Sequence, residues 1–338
     1  MERESSFTDF RPEPRGIRRL TELLERGGVY APSSYGRMRM SKDGRFAMLN
    51  NGILWNLEKD SVVFERECYW MNGGFTADGR LCLVGRQDLH GALRSDEVLL
   101  IHTQSGETVR TFQEKARCLV LDPQGKFFLM AREGQDALQF SKVRLEDGKC
   151  LEQWSCPREE PELIPMNLYL AEKGTALYVE LGALRYRRGD GPCRLLKFSL
   201  DTRAALFPDR IQARVSPQSF TGKIIAAENG QVLDAMEGKV LGCFGDGVPM
   251  PVALMPDGLT AACGIEDRSS EGAGIVFYNL RSGEKIAQEL VWMDPLSPFP
   301  VDVFPREMAA SCDGKRLLYV FQVNGRTKAF LFEADWDD

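Results

Sequence analysis

The stretch GGFTADGRLCLVGRQ, residues 73–87, and the stretch DEVLLIHTQSGETVRTFQ, residues 96–113, together decide the fold. They contain four apolar segments, with tight turns expected at Asp78-Gly79 and Ser105-Gly106. Glycine suits such turns because it tolerates a positive φ, and a neighbouring Asp or Ser can cap the turn through its side chain. The two stretches therefore predict four antiparallel strands.

This unit recurs along the chain, giving seven copies of roughly 45 residues, which is the period of a four-stranded propeller blade. The first turn of the other copies carries a glycine at positions 44, 125, 174, 222, 258 and 314. Near-continuous apolar runs such as FFLM and ALYV are typical of strands covered on both faces. With no amphipathic helix between the copies, the pattern predicts an all-β, seven-bladed β-propeller.

Two short motifs carry a resemblance to a known family. Residues 41–45 and 311–315 share a Ser-x-Asp-Gly-Arg/Lys turn, and residues 54–57 and 277–280 share an apolar-Trp/Tyr-Asn-Leu strand. On these motifs the chain, from about residue 36 to 333, resembles the WD40/YVTN-like β-propeller superfamily. It lacks the blade-ending Trp-Asp pair and the Gly-His pair of true WD40 repeats, and this departure favours a divergent propeller over a member of the eukaryotic WD40 group.

The last copy contains only three strands, expected near residues 307–311, 316–323 and 326–332. An open ring would leave sheet edges exposed, so a fourth strand must come from elsewhere. We expect residues 28–31 to supply it, with a domain-swapped dimer as the alternative.

The segment before it, GIRRLTELLER at residues 16–26, places Ile17, Leu20, Leu23 and Leu24 on one face of a helix. This spacing predicts a short amphipathic helix that either packs against the propeller or docks a partner. The expected organisation is an N-terminal extension at 1–27 and one propeller domain at 28–335.

Composition narrows the function classes. The net charge of -6 disfavours a general nucleic-acid binder, which needs a basic surface. No apolar run is long enough to cross a bilayer, so no membrane partner is expected. The nine cysteines lie mostly in apolar runs, as buried thiols do, and no secretory signal precedes them. We therefore expect a cytoplasmic protein.

Catalytic signatures are missing from the sequence. Only two histidines occur, His90 and His102, and neither adjoins a nucleophile motif. Asp88 and His90 could face the same way in an extended segment, but no third partner lies nearby, so a solvated loop is the preferred interpretation. The dispersed Cys and His residues do not favour a zinc site, and no cofactor is expected, although carboxylates from several loops could converge at the central channel to bind a hard cation.

Loops that join the second and third strands of each blade, and loops that join blades, should emerge on one rim. Tyr, Trp and Arg are enriched at binding hot spots because each combines a large contact area with a polar group. The candidate binding residues on this rim are Trp70, His90, Arg94, Arg185, Tyr186, Arg187, Arg188, Arg268 and Trp292.

Two hypotheses of function follow. The first is a non-enzymatic protein-interaction scaffold, or a subunit of a larger complex, that binds another protein through the rim. The alternative is a propeller enzyme, a lactonase-like hydrolase or a lyase, as the family resemblance also allows. An enzyme predicts a deep polar pocket at the central channel, whereas a scaffold predicts a filled channel.

Overall fold

The computed structural model describes residues 17–27, 38–49, 53–65, 69–87, 97–171, 174–183, 192–207, 211–215, 223–247, 250–267, 272–293, 303–323 and 326–334. In these ranges the secondary structure is strand and turn, without any helix, so no described segment could cross a membrane as a helix. The strands form seven separate sheets, which are the blades of a propeller. The predicted all-β, seven-bladed fold is confirmed.

The first strand, β1 (Ile17–Gly27), belongs to the last blade. Blade 1 contains β2 (Arg39–Met40), β3 (Phe46–Met48), β4 (Leu54–Asn56) and β5 (Ser61–Phe64). Blade 2 contains β6 (Tyr69–Phe75), β7 (Leu81–Gln87), β8 (Val98–His102) and β9 (Thr108–Phe112). Blade 3 contains β10 (Cys118–Leu121), β11 (Phe127–Glu133), β12 (Ala137–Arg144) and β13 (Cys150–Pro157).

Blade 4 contains β14 (Leu163–Leu170), β15 (Ala176–Ala183) and β16 (Cys193–Ser199). Blade 5 contains β17 (Ile224–Ala226), β18 (Gln231–Asp234) and β19 (Val240–Cys243). Blade 6 contains β20 (Val252–Leu254), β21 (Thr260–Asp267), β22 (Gly272–Asn279) and β23 (Lys285–Met293). Blade 7 contains β24 (Val303–Ala310), β25 (Arg316–Val323) and β26 (Arg326–Ala334), with β1 as its outer strand.

Burial explains the apolar pattern of the strands. Every residue of β15 is buried, because neighbouring blades cover both faces of that strand. The outer strand β13 alternates between partly buried and exposed positions, since it lies at the edge of its blade. Continuous apolar runs thus mark the inner strands, as the sequence predicted.

The hydrophobic core is divided into seven clusters, and each lies between two adjacent blades. One cluster joins the last blade to the first, with Leu318 and Val320 of blade 7 against Met38 and Trp55 of blade 1. The same seam has a backbone hydrogen bond of 3.1 Å from Cys312 N to Lys42 O. The seven sheets therefore close into a ring.

The chain's beginning closes this ring, but not as predicted in detail. β1 pairs antiparallel with β26, from Ile17 opposite Ala334 to Gly27 opposite Arg326, with two register shifts. The predicted helix at 16–26 is wrong, because this segment is a strand. A helix of three turns is marginal on its own, whereas the open edge of β26 offers a full row of backbone partners. Residues 28–31, the predicted donor, lie outside the described residues.

The described cysteines are all free thiols. Cys82, Cys118, Cys193 and Cys263 are buried in strands, as expected of small apolar residues. The expectation is wrong for three others, which are exposed because they lie in outer strands or a turn: Cys150, Cys243 and Cys312.

Candidate functional site

The predicted rim is mostly beyond the described ranges. The backbones of Trp70 and Trp292 lie in β6 and β23. The remaining candidates lie outside the described residues: His90, Arg94, Arg185, Tyr186, Arg187, Arg188 and Arg268. The rim therefore stays a prediction. The described residues instead define two other surfaces, the central axis and the opposite face.

The opposite face is built from the turns that join the first to the second strand and the third to the fourth strand of each blade. Because successive strands are antiparallel, these turns share one side of the ring, and we call it the turn face. In blade 1, the Ser41 hydroxyl donates to Asp43 Oδ1 at 2.7 Å and accepts from Phe46 N at 2.9 Å. Blades 2 and 7 repeat this arrangement with Thr76 and Ser311.

These bonds lower the pKa of the turn carboxylates. A hydrogen bond from the Thr76 hydroxyl is the largest influence on Asp78, and the backbone amide of Arg80 adds to it. For Asp43, partial burial raises the pKa, but hydrogen bonds from Ser41 and Arg45 outweigh it and the pKa falls below its usual value. Ionised Asp side chains therefore hold the turns in shape at neutral pH.

Turns of adjacent blades interlock on this face. The Ala77 amide donates to Pro123 O at 2.7 Å, which links blade 2 to blade 3. Gly44, with φ of +68°, lies so close to blade 7 that an added Cβ would meet Ser311 Cβ at 2.8 Å. Glycine is thus required here for its backbone angle and for the close approach of the neighbouring blade.

Among the described residues, the side chain of Arg39 crosses the central axis. Arg39 projects from β2, the innermost strand of blade 1, and its Nη2 donates to Leu168 O on β14 of blade 4 at 2.8 Å. Its guanidinium carbon also lies 5.1 Å from the ring centre of Tyr169. Blades 1 and 4 are not neighbours, because two blades separate them on one side of the ring and three on the other. Arg39 therefore spans the channel.

On the far side of the channel, Arg39 reaches a set of buried, hydrogen-bonded polar side chains. The Tyr169 hydroxyl lies 2.9 Å from Glu180 Oε2 and 2.9 Å from the Val215 carbonyl oxygen, and Asn167 donates to the same Glu180 oxygen at 3.0 Å. Tyr169 is 2% exposed and Glu180 is 4% exposed. We call Arg39, Asn167, Tyr169 and Glu180 the axial cluster, and through Val215 it links blades 1, 4 and 5.

Blade 3 adds an ion pair close to the axial cluster. Arg117, which is 2% exposed, lies with its Nε 3.5 Å from Glu133 Oε2. Burial raises the pKa of the adjacent Cys118 thiol, on which the charges of Arg117, Glu133, Glu180 and Arg39 also act. These four charges therefore converge around one buried thiol that stays protonated and unreactive at neutral pH.

The axial cluster was missed by sequence reasoning, although one signal pointed to it. Glu180 interrupts the continuous apolar run ALYVELGA, where a carboxylate needs a buried partner. The sequence could not reveal that Asn167 and Tyr169 of the paired strand bond this carboxylate, or that Arg39 reaches Tyr169 from across the ring. Among the described residues, no group of three or more His, Cys, Asp or Glu side chains is arranged to hold a metal ion.

Comparison with known proteins agrees on the fold. No family model and no curated protein matches the chain. Among solved structures, the β-propeller domain of Cps50 (Swd1) from Myceliophteria thermophila superposes with a TM-score of 0.58 at 15% identity. The match covers 91% of this chain and 99% of that one. At this identity the likeness shows the fold alone, which is the β-propeller that the sequence predicted.

Proposed function

We propose that the protein is a non-enzymatic protein-interaction scaffold of the cytoplasm, acting as a subunit of a larger complex that it binds through its rim. The observation that carries this proposal is the channel-spanning contact of Arg39 with Leu168 O at 2.8 Å. A side chain that crosses the axis fits the filled channel that a scaffold predicts, because a scaffold needs no path by which a substrate reaches its axis. The fold also suits this role, by analogy with other propellers.

The enzyme alternative is less well supported. Charged side chains do converge on the axis, as an enzyme would require, but each already has a partner: Arg39 binds Leu168 O, Glu180 binds Asn167 and Tyr169, and Arg117 pairs with Glu133. A substrate would have to displace Arg39 and open the pairing of Glu180 with Asn167 and Tyr169. Opening such a buried hydrogen-bonded group leaves several polar atoms without partners, which is costly.

The partner is proposed to be another protein that contacts the basic and aromatic rim segment at 185–188. Arg and Tyr give planar contact area and several hydrogen-bond donors, which suits an acidic or mixed protein surface. Nucleic acid is not the proposed partner, since the net charge of -6 would repel phosphates outside local patches.

The test is affinity capture from native extract followed by binding of the purified partner. The variant Arg185→Ala, Arg187→Ala, Arg188→Ala should lose the captured protein while its melting temperature stays unchanged. A matched control removes three exposed basic side chains elsewhere, at Arg110, Lys149 and Arg281. Equal capture by both triple variants would show that the 185–188 segment does not bind the partner. If the wild-type protein captured no partner at all, the scaffold role would be contradicted.

A further inference from the structure

A cleft opens on the turn face between blades 1 and 2, with a volume of about 390 Å³. Its charged and polar lining comes from the first turns of both blades and from the last turn of blade 2. The lining residues are Arg45, Phe46, Gly79, Arg80, His102, Thr103 and Gln104. None of the described lining residues is acidic, and the Asp43 carboxylate that lies against Gly79 is bonded to Arg45.

Both arginines keep donors available to a ligand. Arg45 uses its Nε to bind Asp43 at 2.6 Å, and its side chain is still 39% exposed. Arg80 is 79% exposed, and its Nε lies 3.7 Å from Asp78, beyond hydrogen-bond distance. The two carboxylates are already engaged by the hydroxyl and amide donors of their own turns. The outward guanidinium donors can therefore bind an additional anion.

The last turn of blade 2 differs from those of blades 1, 5 and 6 in a way that adds two more donors. In blade 1, Asn56 Oδ1 accepts the turn amides of Glu58 and Lys59 at 3.1 and 3.0 Å. Asp234 in blade 5 and Asn279 in blade 6 accept the equivalent amides.

His102 occupies this capping position in blade 2, and its Nδ1 lies 3.4 Å from Ser105 Oγ. Within the described part of the chain, the amides of Gln104 and Ser105 have no acceptor. Successive turn amides that point the same way form a small anion-binding concavity. An oxygen that Asn or Asp supplies in blades 1, 5 and 6 is thus missing beside the two arginines.

We propose that this cleft binds an anionic side chain of a partner polypeptide, a carboxylate or a phosphate ester. The oxyanion accepts hydrogen bonds from the Arg45 and Arg80 guanidinium groups and from the turn amides of Gln104 and Ser105. Charge-assisted bonds of this kind are the strong ones in recognition. That the ligand is a polypeptide rests on the proposed scaffold function. The contact itself lies on the turn face, opposite the rim.

The experiment uses fluorescence anisotropy with the full-length protein and three labelled nonapeptides that differ only at the central residue. That residue is phosphoserine, glutamate or serine. The phosphoserine or glutamate peptide should bind, and the serine peptide should bind at least about tenfold more weakly, since charge-assisted bonds exceed neutral ones. Binding of both anionic peptides indicates a general oxyanion site, whereas binding of phosphoserine alone identifies the phosphate ester as the ligand.

Three variants test the residues. R45Q/R80Q should weaken binding about tenfold or more, because both guanidinium groups are lost. R80Q alone should weaken it less and keeps the test valid if loss of Arg45 disturbs its turn. H102N should also weaken binding, since Asn supplies the missing oxygen to the two amides, while it raises the melting temperature.

The matched control is K223Q/K315Q, which removes two exposed basic residues that follow the first-turn glycine in blades 5 and 7. Its affinity should remain within about twofold of wild type, as expected for distant charges in screening salt. Equal losses in both double variants, or equal binding of all three peptides, would overturn the proposal. If the peptide test failed but the protein still captured a partner through its rim, the scaffold role would stand and only the cleft proposal would fall.

Discussion

Replacing Gly44 by Ala should weaken the seam between blades 7 and 1 more than the same change at Gly174. Both glycines have positive φ, +68° and +64°, so both variants lose about 1–2 kcal/mol of unfolding free energy from backbone strain. Only at Gly44 does the new Cβ meet another blade, with Ser311 Cβ at 2.8 Å and Arg316 Cδ at 3.1 Å. At Gly174 the new Cβ meets no other described residue within 4 Å.

Overpacking of this kind costs about 1–3 kcal/mol, so Gly44→Ala should lose about 2–5 kcal/mol in total. Urea unfolding of the two variants and wild type, followed by circular dichroism, measures the difference. The reasoning predicts a clearly lower midpoint for Gly44→Ala than for Gly174→Ala, with the wild-type slope retained. Equal midpoints would refute the interlocking of adjacent turns.

Arg39→Met keeps the length of the side chain but removes the bond to Leu168 O across the channel. A charge-assisted hydrogen bond contributes about 1.5–3 kcal/mol, so urea unfolding should show a loss of unfolding free energy of that size. An unchanged midpoint would contradict the crossing. Acid should also destabilise the turn face, because the turn carboxylates have lowered pKa values in the fold. Their stabilisation is complete above the unfolded value, about 3.9, and is lost as pH falls through the folded value. Between pH 7 and pH 2, the urea midpoint of wild type should therefore fall more steeply than that of the triple variant D43N/D78N/D313N. Parallel curves of midpoint against pH would contradict this.

The propeller could be predicted from the sequence because its signals are local. Glycines with positive φ occur at the turns that the repeat predicted, as at Gly79 and Gly314. In both of these turns, the hydroxyl three residues before the glycine bonds the turn aspartate. Inner strands read as continuous apolar runs because both faces are covered. These features depend on neighbours in the chain and need no knowledge of the ring.

Non-local partners set the limit of sequence reasoning. The segment 17–27 has a helical apolar period, yet it becomes a strand because the edge of β26, some 300 residues later, offers backbone pairing. Arg39 lies beside methionines in a short strand, and nothing nearby in the sequence indicates a partner on blade 4. The same holds for the cleft, where Arg45 and His102 meet only through the packing of blades 1 and 2.

Hydrogen–deuterium exchange tests the closed ring most directly. In the intact protein, β26 lies between β25 and β1, so alternate amides of residues 326–334 are protected by β1. A variant lacking residues 1–27 should exchange these amides at least about tenfold faster, while residues 316–323 of β25 keep their protection. A variant lacking only residues 1–16 keeps β1 and should match the intact protein. Unchanged exchange at 326–334 after removal of residues 1–27 would contradict closure of the propeller by its own N-terminal strand.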